Sequence, residues 1–235
     1  MQSPSSEELN AVTLQIGLVG NDGLVMASDR LLQQIGDGGA RSVGKVSKFL
    51  RNDGTVMCWA GDSIAERAAI RIEGLDWNSV KRNSIAADLM RAGDATWEEM
   101  ERLGYRMDPG VIRNVLVAFR DDFWQLEVGL PRSLARRRID RVVMGDPANS
   151  ARFLINRYAN EVQMLPTSQL VSLAAYAILM GGEENPNGVG GLEVVVIPKG
   201  GLPRFSTTEQ EQELAKLSES LDDVIKEQLL TAFDM

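Results

Sequence analysis

The first apolar residues of the chain follow the alternation that is typical of paired β-strands. Segment 14–18 is apolar at every second position, and Leu24–Ala27 is a second short apolar run. Between them lies Asn21–Gly23, whose Asp-Gly pair readily adopts the positive backbone angles of a tight two-residue turn. The pattern therefore predicts a β-hairpin that begins just after Thr13 and ends at Asp29.

The same reasoning places the other elements. A second hairpin is predicted from Val46–Leu50 and Thr55–Ala60, which flank the turn Arg51–Gly54. Apolar residues spaced three or four apart predict helices, and further apolar runs predict strands. The helices are expected at Asp62–Ile72, Ser79–Leu103 (with Gly93 as a candidate break), Pro147–Tyr158 and Thr167–Met180, and the strands at Val111–Phe119, Phe123–Val128, Ile139–Met144 and Leu192–Ile197.

This order of strands, helices, strands, helices and a last strand indicates an α+β fold. It describes two antiparallel sheets between two helical layers, which is a four-layer αββα sandwich. The length of 235 residues suits one domain with a sizeable core. The segment Thr207–Phe233 has the pattern of a charged amphipathic helix, for which packing on its own domain is favoured over docking to a partner.

Composition narrows the classes of function. The net charge of −8 at pH 7 and the calculated pI of about 4.8 disfavour nucleic acid as a partner. The first twelve residues have neither a basic start nor an apolar core, and no apolar run could span a bilayer. We therefore expect a cytoplasmic protein with no membrane partner.

The single cysteine, Cys58, is expected in the core, and neither a metal nor another cofactor is expected.

The chain contains no histidine, which excludes the Ser-His-Asp and Cys-His types of catalytic site. A nucleophile would have to use a lysine, a carboxylate or an N-terminal amine as its base. Thr13, Asp29 and Lys45 combine a possible nucleophile with a carboxylate and an amine, and they occur at equal intervals of 16 positions. Taken singly, each of these residue types is more often structural than catalytic.

The order of Thr13, Gly23 in the hairpin turn, Asp29, Lys45 and Ala60-Gly61 resembles that of a proteasome β-subunit and of its bacterial ATP-dependent relatives. These are N-terminal-nucleophile (Ntn) hydrolases, and the resemblance covers roughly residues 11–198. It implies that segment 1–12 is an extension or propeptide and that 13–235 is a single domain.

The resemblance also implies roles for individual residues. Thr13 would be the nucleophile and, once exposed as the first residue, would supply its own α-amine as the base. Lys45 would be the electrostatic partner of the Thr13 hydroxyl, Asp29 would orient Lys45, and the Gly61 N–H would bind the oxyanion. Lys48, three residues further on, is a competitor for the lysine role, and we favour Lys45. Gln15 is a weak candidate for substrate specificity.

The partners that this resemblance implies are other copies of the chain in a ring assembly, a polypeptide substrate and an ATPase unfoldase or regulator. The main alternative is a non-catalytic scaffold subunit, because the sequence departs from the family at Val12, Leu14 and Asp146. In addition, segment 186–191 keeps only the glycine pair of the Asp-x-x-Ser-Gly-Gly element that the family has at this place. A weaker alternative is an Ntn amidohydrolase that does not cleave proteins, since one fold supports several amide-cleaving reactions.

Overall fold

The computed structural model describes residues 10–11, 13–36, 39–105, 111–129, 132–145, 148–159 and 161–233. Its strands are β1 (Asn10–Ala11), β2 (Leu14–Val19), β3 (Gly23–Ser28), β4 (Leu31–Gly36), β5 (Gly39–Lys45), β6 (Phe49–Asn52), β7 (Thr55–Asp62), β8 (Asn114–Phe119), β9 (Asp122–Glu127), β10 (Leu134–Arg138), β11 (Arg141–Gly145), β12 (Glu193–Pro198) and β13 (Arg204–Phe205). Its helices are α1 (Ser63–Glu73), α2 (Ile85–Arg102), α3 (Ala148–Tyr158), α4 (Thr167–Glu184) and α5 (Thr208–Phe233), with a 3-10 turn at Val162–Met164.

Within these described residues, the strands form two large antiparallel sheets and a separate hairpin. The first sheet has the order β1-β7-β8-β9-β10, and β6 also pairs with β7. The second sheet has the order β11-β2-β3-β12-β13. The separate hairpin consists of β4 and β5. The hairpin predicted around Asn21–Gly23 is the β2–β3 pair at the centre of the second sheet.

Three clusters of buried apolar side chains separate four layers. One cluster lies between the first sheet and helices α1 and α2, another between the second sheet and helices α3 and α4, and the third between the two sheets. Typical members are Ile72, Leu89 and Leu126 in the first cluster, Ile16, Ile155 and Ala174 in the second, and Met26, Cys58 and Phe123 in the third. The predicted αββα sandwich is confirmed. Because both faces of the second sheet are covered, almost every residue of β2 and β3 is buried.

The hairpin β4–β5 is the main element that the sequence prediction missed. Polar pairs, Gln33-Gln34 and Arg41-Ser42, interrupt the apolar alternation in both of its strands, so the period of two was hidden. The prediction instead began a strand at Val46, whereas β6 begins at Phe49. This error of a few residues becomes important in the candidate site, because it concerns the segment that carries both candidate lysines.

Helix α2 also differs from the prediction, since it begins at Ile85 rather than at Ser79 and continues through Gly93 without a break. Gly93 lies where the helix touches the segment before β10. A Cβ added there would be 2.5 Å from Oγ and 2.8 Å from Cβ of Ser133. The glycine therefore serves close packing rather than a helix end.

We expect Gly93→Ala to lower the free energy of unfolding by about 1–2 kcal/mol in urea denaturation. The clash with Ser133 outweighs the gain of about 1 kcal/mol that alanine brings to a helix interior. Gly74→Ala is the control, because its added Cβ would be at an ordinary distance of 3.6 Å from the nearest atom. The double variant Gly93→Ala/Ser133→Gly should recover most of the loss. Equal effects at Gly93 and Gly74 would contradict this account.

Helix α5 packs on the domain, as the sequence predicted. Leu214 packs against the cluster under α3 and α4, and Arg30, which follows β3, binds Glu211 of α5 with an N–O distance of 3.0 Å. Leu217 and Leu221, which follow Leu214 at the helical spacing of three and four residues, are about half exposed. None of the helices in the described ranges combines the length and apolarity needed to cross a membrane.

Candidate active site

Three segments of the chain meet around the amine of Lys48. Thr13 directly precedes β2, Asp29 directly follows β3, and Lys48 directly precedes β6. Strands β2 and β3 are antiparallel partners in which Gln15 lies opposite Ser28. The residue before β2 and the residue after β3 must therefore lie at the same end of the hairpin, and the segment before β6 packs across that end.

The Lys48 ammonium group links the other two side chains. Its Nζ donates a hydrogen bond to Thr13 Oγ1 at 2.7 Å and to the two carboxylate oxygens of Asp29 at 2.9 and 2.8 Å. Each side chain is buried, with 1% of Thr13, none of Asp29 and 1% of Lys48 exposed. A buried lysine with a hydrogen-bonded carboxylate partner is a fixed charge in a dry environment, where its effect on a neighbouring hydroxyl is large.

The backbone holds Asp29 rigidly in this arrangement. Its two carboxylate oxygens accept the backbone N–H groups of Leu14 and Leu31, each at 2.9 Å, and its own N–H donates to the carbonyl oxygen of Leu14 at 3.1 Å. The carboxylate thus connects the first residues of β2 and β4. Because Leu14 directly follows Thr13, this contact also fixes the backbone that carries the candidate nucleophile.

The structure corrects the choice of lysine. Lys45 was predicted to contact the Thr13 hydroxyl, but it lies exposed at the end of β5, opposite Leu31. The hairpin β4–β5 takes up the chain from Leu31 to Lys45, and the Val46 N–H then donates to the Arg30 carbonyl oxygen at 2.8 Å. Only after this return does the chain reach the site, so Lys48 is the lysine that fits. The Asp-Gly-Gly sequence at 37–39 is a turn signal that could have revealed the hairpin.

Gly61 lies in β7 opposite Ala11 of β1. Its φ of +124° is in the region that favours glycine, and an added Cβ would be 2.8 Å from the Ile112 carbonyl oxygen. The next residue, Asp62, caps helix α1 by accepting the Ile64 N–H at 3.0 Å. Gly61 is therefore required by the backbone whatever else it does, and its role as an oxyanion donor stays a prediction.

Gln15 is the residue suggested above as a weak candidate for substrate specificity. Its side chain is fully buried, and its Nε2 donates to the backbone carbonyl oxygen of Trp59 on β7. It therefore connects the two sheets. Val12 and Asp146, the departures noted on either side of the site, lie outside the described residues.

Sequence reasoning missed Gly145, which has a φ of +93° at the end of β11. It lies opposite Leu14, and a Cβ added there would collide with the carbonyl oxygen of Thr13. Only glycine allows this close approach of the two backbones. The signal in the sequence is a glycine at the end of an apolar strand, which is too common to have been informative alone.

Burial controls the ionisation of the site. It lowers the pKa of Lys48, and the charge and hydrogen bonds of Asp29 only partly oppose this effect. The Asp29 carboxylate is therefore the group that favours the charged form of Lys48 against the effect of burial. Cys58 is a buried thiol near Lys48. Burial raises the pKa of this thiol well above the usual value, so Cys58 is an inert core residue rather than a second nucleophile.

Comparison with known proteins finds similarity in structure alone. Neither a family model nor a curated protein matches this chain. An Anbu (Gly-1) mutant from Hyphomicrobium sp. strain MC1 is similar with a TM-score of 0.70 and 12% identity, over 92% of this chain and 96% of that one. Anbu from Pseudomonas aeruginosa, solved as a helical assembly, has a TM-score of 0.69 and 15% identity over 93% and 96% of the two chains.

A third structure, Anbu from Yersinia bercovieri, is described as an ancestral beta-subunit. It has a TM-score of 0.63 and 14% identity, over 91% of this chain and 96% of that one. The family named from the sequence therefore needs correction, because these neighbours are Anbu proteins rather than the proteasome β-subunits and bacterial ATP-dependent relatives expected above. At such low identity the likeness establishes the fold alone, and this chain shares the fold of the Anbu structures.

Proposed function

We propose that this chain is a self-assembling Ntn-type subunit that hydrolyses peptide bonds with Thr13 once the segment before it is removed. The observation that carries the proposal is the 2.7 Å contact between Lys48 Nζ and Thr13 Oγ1, in a chain that has no histidine. A buried lysine paired with Asp29 stabilises negative charge that develops on the hydroxyl oxygen as it attacks a carbonyl carbon. This is the electrostatic task that the proposed chemistry needs.

Processing would use the same contact. Thr13 Oγ1 attacks the carbonyl carbon of Val12 and loses its proton, while the C–N bond to Thr13 breaks and the Thr13 nitrogen gains a proton. The product is an ester between residue 12 and the Thr13 oxygen, which water hydrolyses to release segment 1–12. The freed α-amine has an ordinary pKa near 8, and a neighbouring ammonium group lowers it further, so it can act as the base in later cycles.

An extended peptide is the substrate class that best fits the neighbourhood of the site. Asn10 and Ala11 pair antiparallel with Asp62 and Gly61 on the edge of β7. Strand addition to an exposed edge is a general way to bind extended peptides, because the backbone supplies most of the hydrogen bonds. Removal of the preceding segment would leave the same edge free for a substrate strand.

The second candidate, a non-catalytic scaffold subunit, is favoured by a specific observation. Thr13 is buried and follows a paired strand, so its hydroxyl is not accessible to a substrate in this arrangement. Self-association is common to both proposals and is supported by the helical assembly of the Pseudomonas aeruginosa protein. A closed ring and an ATPase partner are further hypotheses that the fold permits.

Intact mass and N-terminal sequencing of the untagged chain test the proposal. We expect the wild type to begin at Thr13 and Thr13→Ala to keep its preceding segment, with a loss of peptidase activity of at least about a thousandfold because the nucleophile is gone. Thr96→Ala is the matched control, since Thr96 is an equally buried threonine in α2 whose hydroxyl donates to the Ala92 carbonyl oxygen at 2.8 Å, within its own helix. An unprocessed wild type that assembles normally would favour the scaffold.

A further inference from the structure

Glu193 is a buried carboxylate that the proposed chemistry does not use. It is the first residue of β12, and 6% of it is exposed. Its Oε1 accepts the Ser47 hydroxyl at 3.1 Å, and its Oε2 forms an ion pair with Arg30 Nε at 3.6 Å. Burial raises the pKa of Glu193, and these two partners oppose the shift. A carboxylate is costly to bury, so its position between these partners requires an explanation.

The two partners of Glu193 are chain neighbours of two site residues. Ser47 directly precedes Lys48, and its Oγ also accepts the Phe49 N–H at 3.2 Å, so it spans the lysine on both sides. Arg30 directly follows Asp29, and its carbonyl oxygen accepts the Val46 N–H at 2.8 Å. Through Glu193, the segment that carries Lys48 and the segment that carries Asp29 are both attached to β12.

We propose that Glu193 is a positioning residue that keeps Lys48 Nζ within hydrogen-bond distance of both Thr13 and Asp29. It acts through Ser47 and Arg30 and touches none of the reacting atoms. A displacement of about 1 Å is enough to lose a catalytic contact of this kind, and such sites depend on the groups that support them. The inference rests on the proposed function for its purpose, while the positioning itself is a property of the folded chain.

Helix α5 adds an outer support to the same network. Glu211 accepts a hydrogen bond from the Arg30 guanidinium at 3.0 Å and another from the Ser206 hydroxyl at 2.8 Å. Because Glu211 holds only the outer end of Arg30, its loss leaves the contact between Ser47 and Glu193 in place. Glu211→Gln should therefore affect the site less than Glu193→Ala does.

The pKa of Lys48 measures the positioning directly, independently of catalysis. The chain has six lysines, so NMR of the full chain with labelled lysine resolves each amine, and Lys48→Arg identifies the Lys48 signal by its loss. The groups that face this amine are Thr13, Asp29 and the buried thiol of Cys58. We expect Glu193→Ala to raise the Lys48 pKa by about one unit, because a loosened site admits water and removes part of the desolvation.

Two variants separate positioning from a general loss of stability. Glu193→Gln keeps an oxygen that can accept the Ser47 hydroxyl. Its Lys48 pKa should therefore lie closer to the wild-type value than to that of Glu193→Ala. Asp122→Ala is the matched control in the first sheet, where Asp122 is equally buried and binds Arg82 and Arg137 at 2.7 and 2.6 Å. We expect it to lower the melting temperature comparably and to leave the Lys48 pKa unchanged.

Two results would overturn the inference: an unchanged Lys48 pKa in Glu193→Ala, or an equal shift in Asp122→Ala. If Glu193→Ala does not fold, Ser47→Ala removes one of the two connections and should still raise the Lys48 pKa, and no change there would count against the inference. A wild type that is never processed, combined with a shifted Lys48 pKa in Glu193→Ala, would reject the proposed function while supporting the positioning role.

Discussion

Lys48→Met is expected to lower the free energy of unfolding by about 3–5 kcal/mol and to abolish processing before Thr13. The variant leaves the Asp29 carboxylate buried without its counter-ion, and removing one partner of a buried pair has an effect of this size. It also removes the group that stabilises charge on Thr13 Oγ1. Urea denaturation measures the first effect, and intact mass measures the second.

The matched control is Lys45→Met, because Lys45 is the lysine that the sequence favoured and the structure places on the surface. We expect it to change stability by less than about 0.5 kcal/mol, as is usual for surface substitutions, and to leave processing intact. The double variant Lys48→Met/Asp29→Asn should recover part of the stability, since it removes the unpaired charge. If Lys45→Met rather than Lys48→Met stopped processing, the arrangement of the site described above would be rejected.

Gly145→Ala is expected to lower the free energy of unfolding by about 3 kcal/mol or more. Two costs add at this position: a positive φ, which is unfavourable for alanine, and the collision of the new methyl group with the Thr13 carbonyl oxygen. Relief of the collision requires the ends of β2 and β11 to separate. Thr13 Oγ1 would then move away from Lys48, so processing should also be lost.

Gly200→Ala isolates the backbone cost, because Gly200 has a φ of +67° but nothing lies within 4 Å of an added Cβ. Its expected loss is about 1 kcal/mol, with no effect on processing. The difference between the losses of unfolding free energy in the two variants measures the cost of placing a methyl group between Gly145 and the Thr13 carbonyl oxygen. Similar losses in both variants would show that this approach is not tight.

Much of the fold follows from local patterns. The Asp-Gly turn at Asn21–Gly23 and the alternation around it predict the β2–β3 hairpin, because such a turn fixes the register of the strands on either side. Helices such as α1 and α4 were also located within a few residues, since their apolar faces recur with the helical period. The order of these elements was enough to predict the four layers.

The prediction failed where polar side chains concealed a pattern or where packing overrode a local preference. The polar pairs in β4 and β5 hid a hairpin. Because the hairpin was missed, the sequence analysis favoured Lys45 as the partner of Thr13, whereas Lys48 is the lysine that contacts it. Gly93 was a candidate helix break because glycine has a low helix propensity. In the structure it lies inside the helix, where the close contact with Ser133 leaves no room for a side chain. Gln15 was a weak candidate for substrate specificity because its contact with Trp59 across the two sheets could not be known from the sequence.

The sequence by itself determined that Thr13 and Asp29 would lie at the same end of a hairpin, because a two-residue turn sets that geometry locally. It also determined that histidine takes no part in the chemistry. Only the tertiary structure decided which lysine joins them, that Gly145 must be a glycine, and that Glu193 supports the site from β12. These features depend on the length of an intervening hairpin and on contacts between residues more than 100 positions apart, which local patterns do not encode.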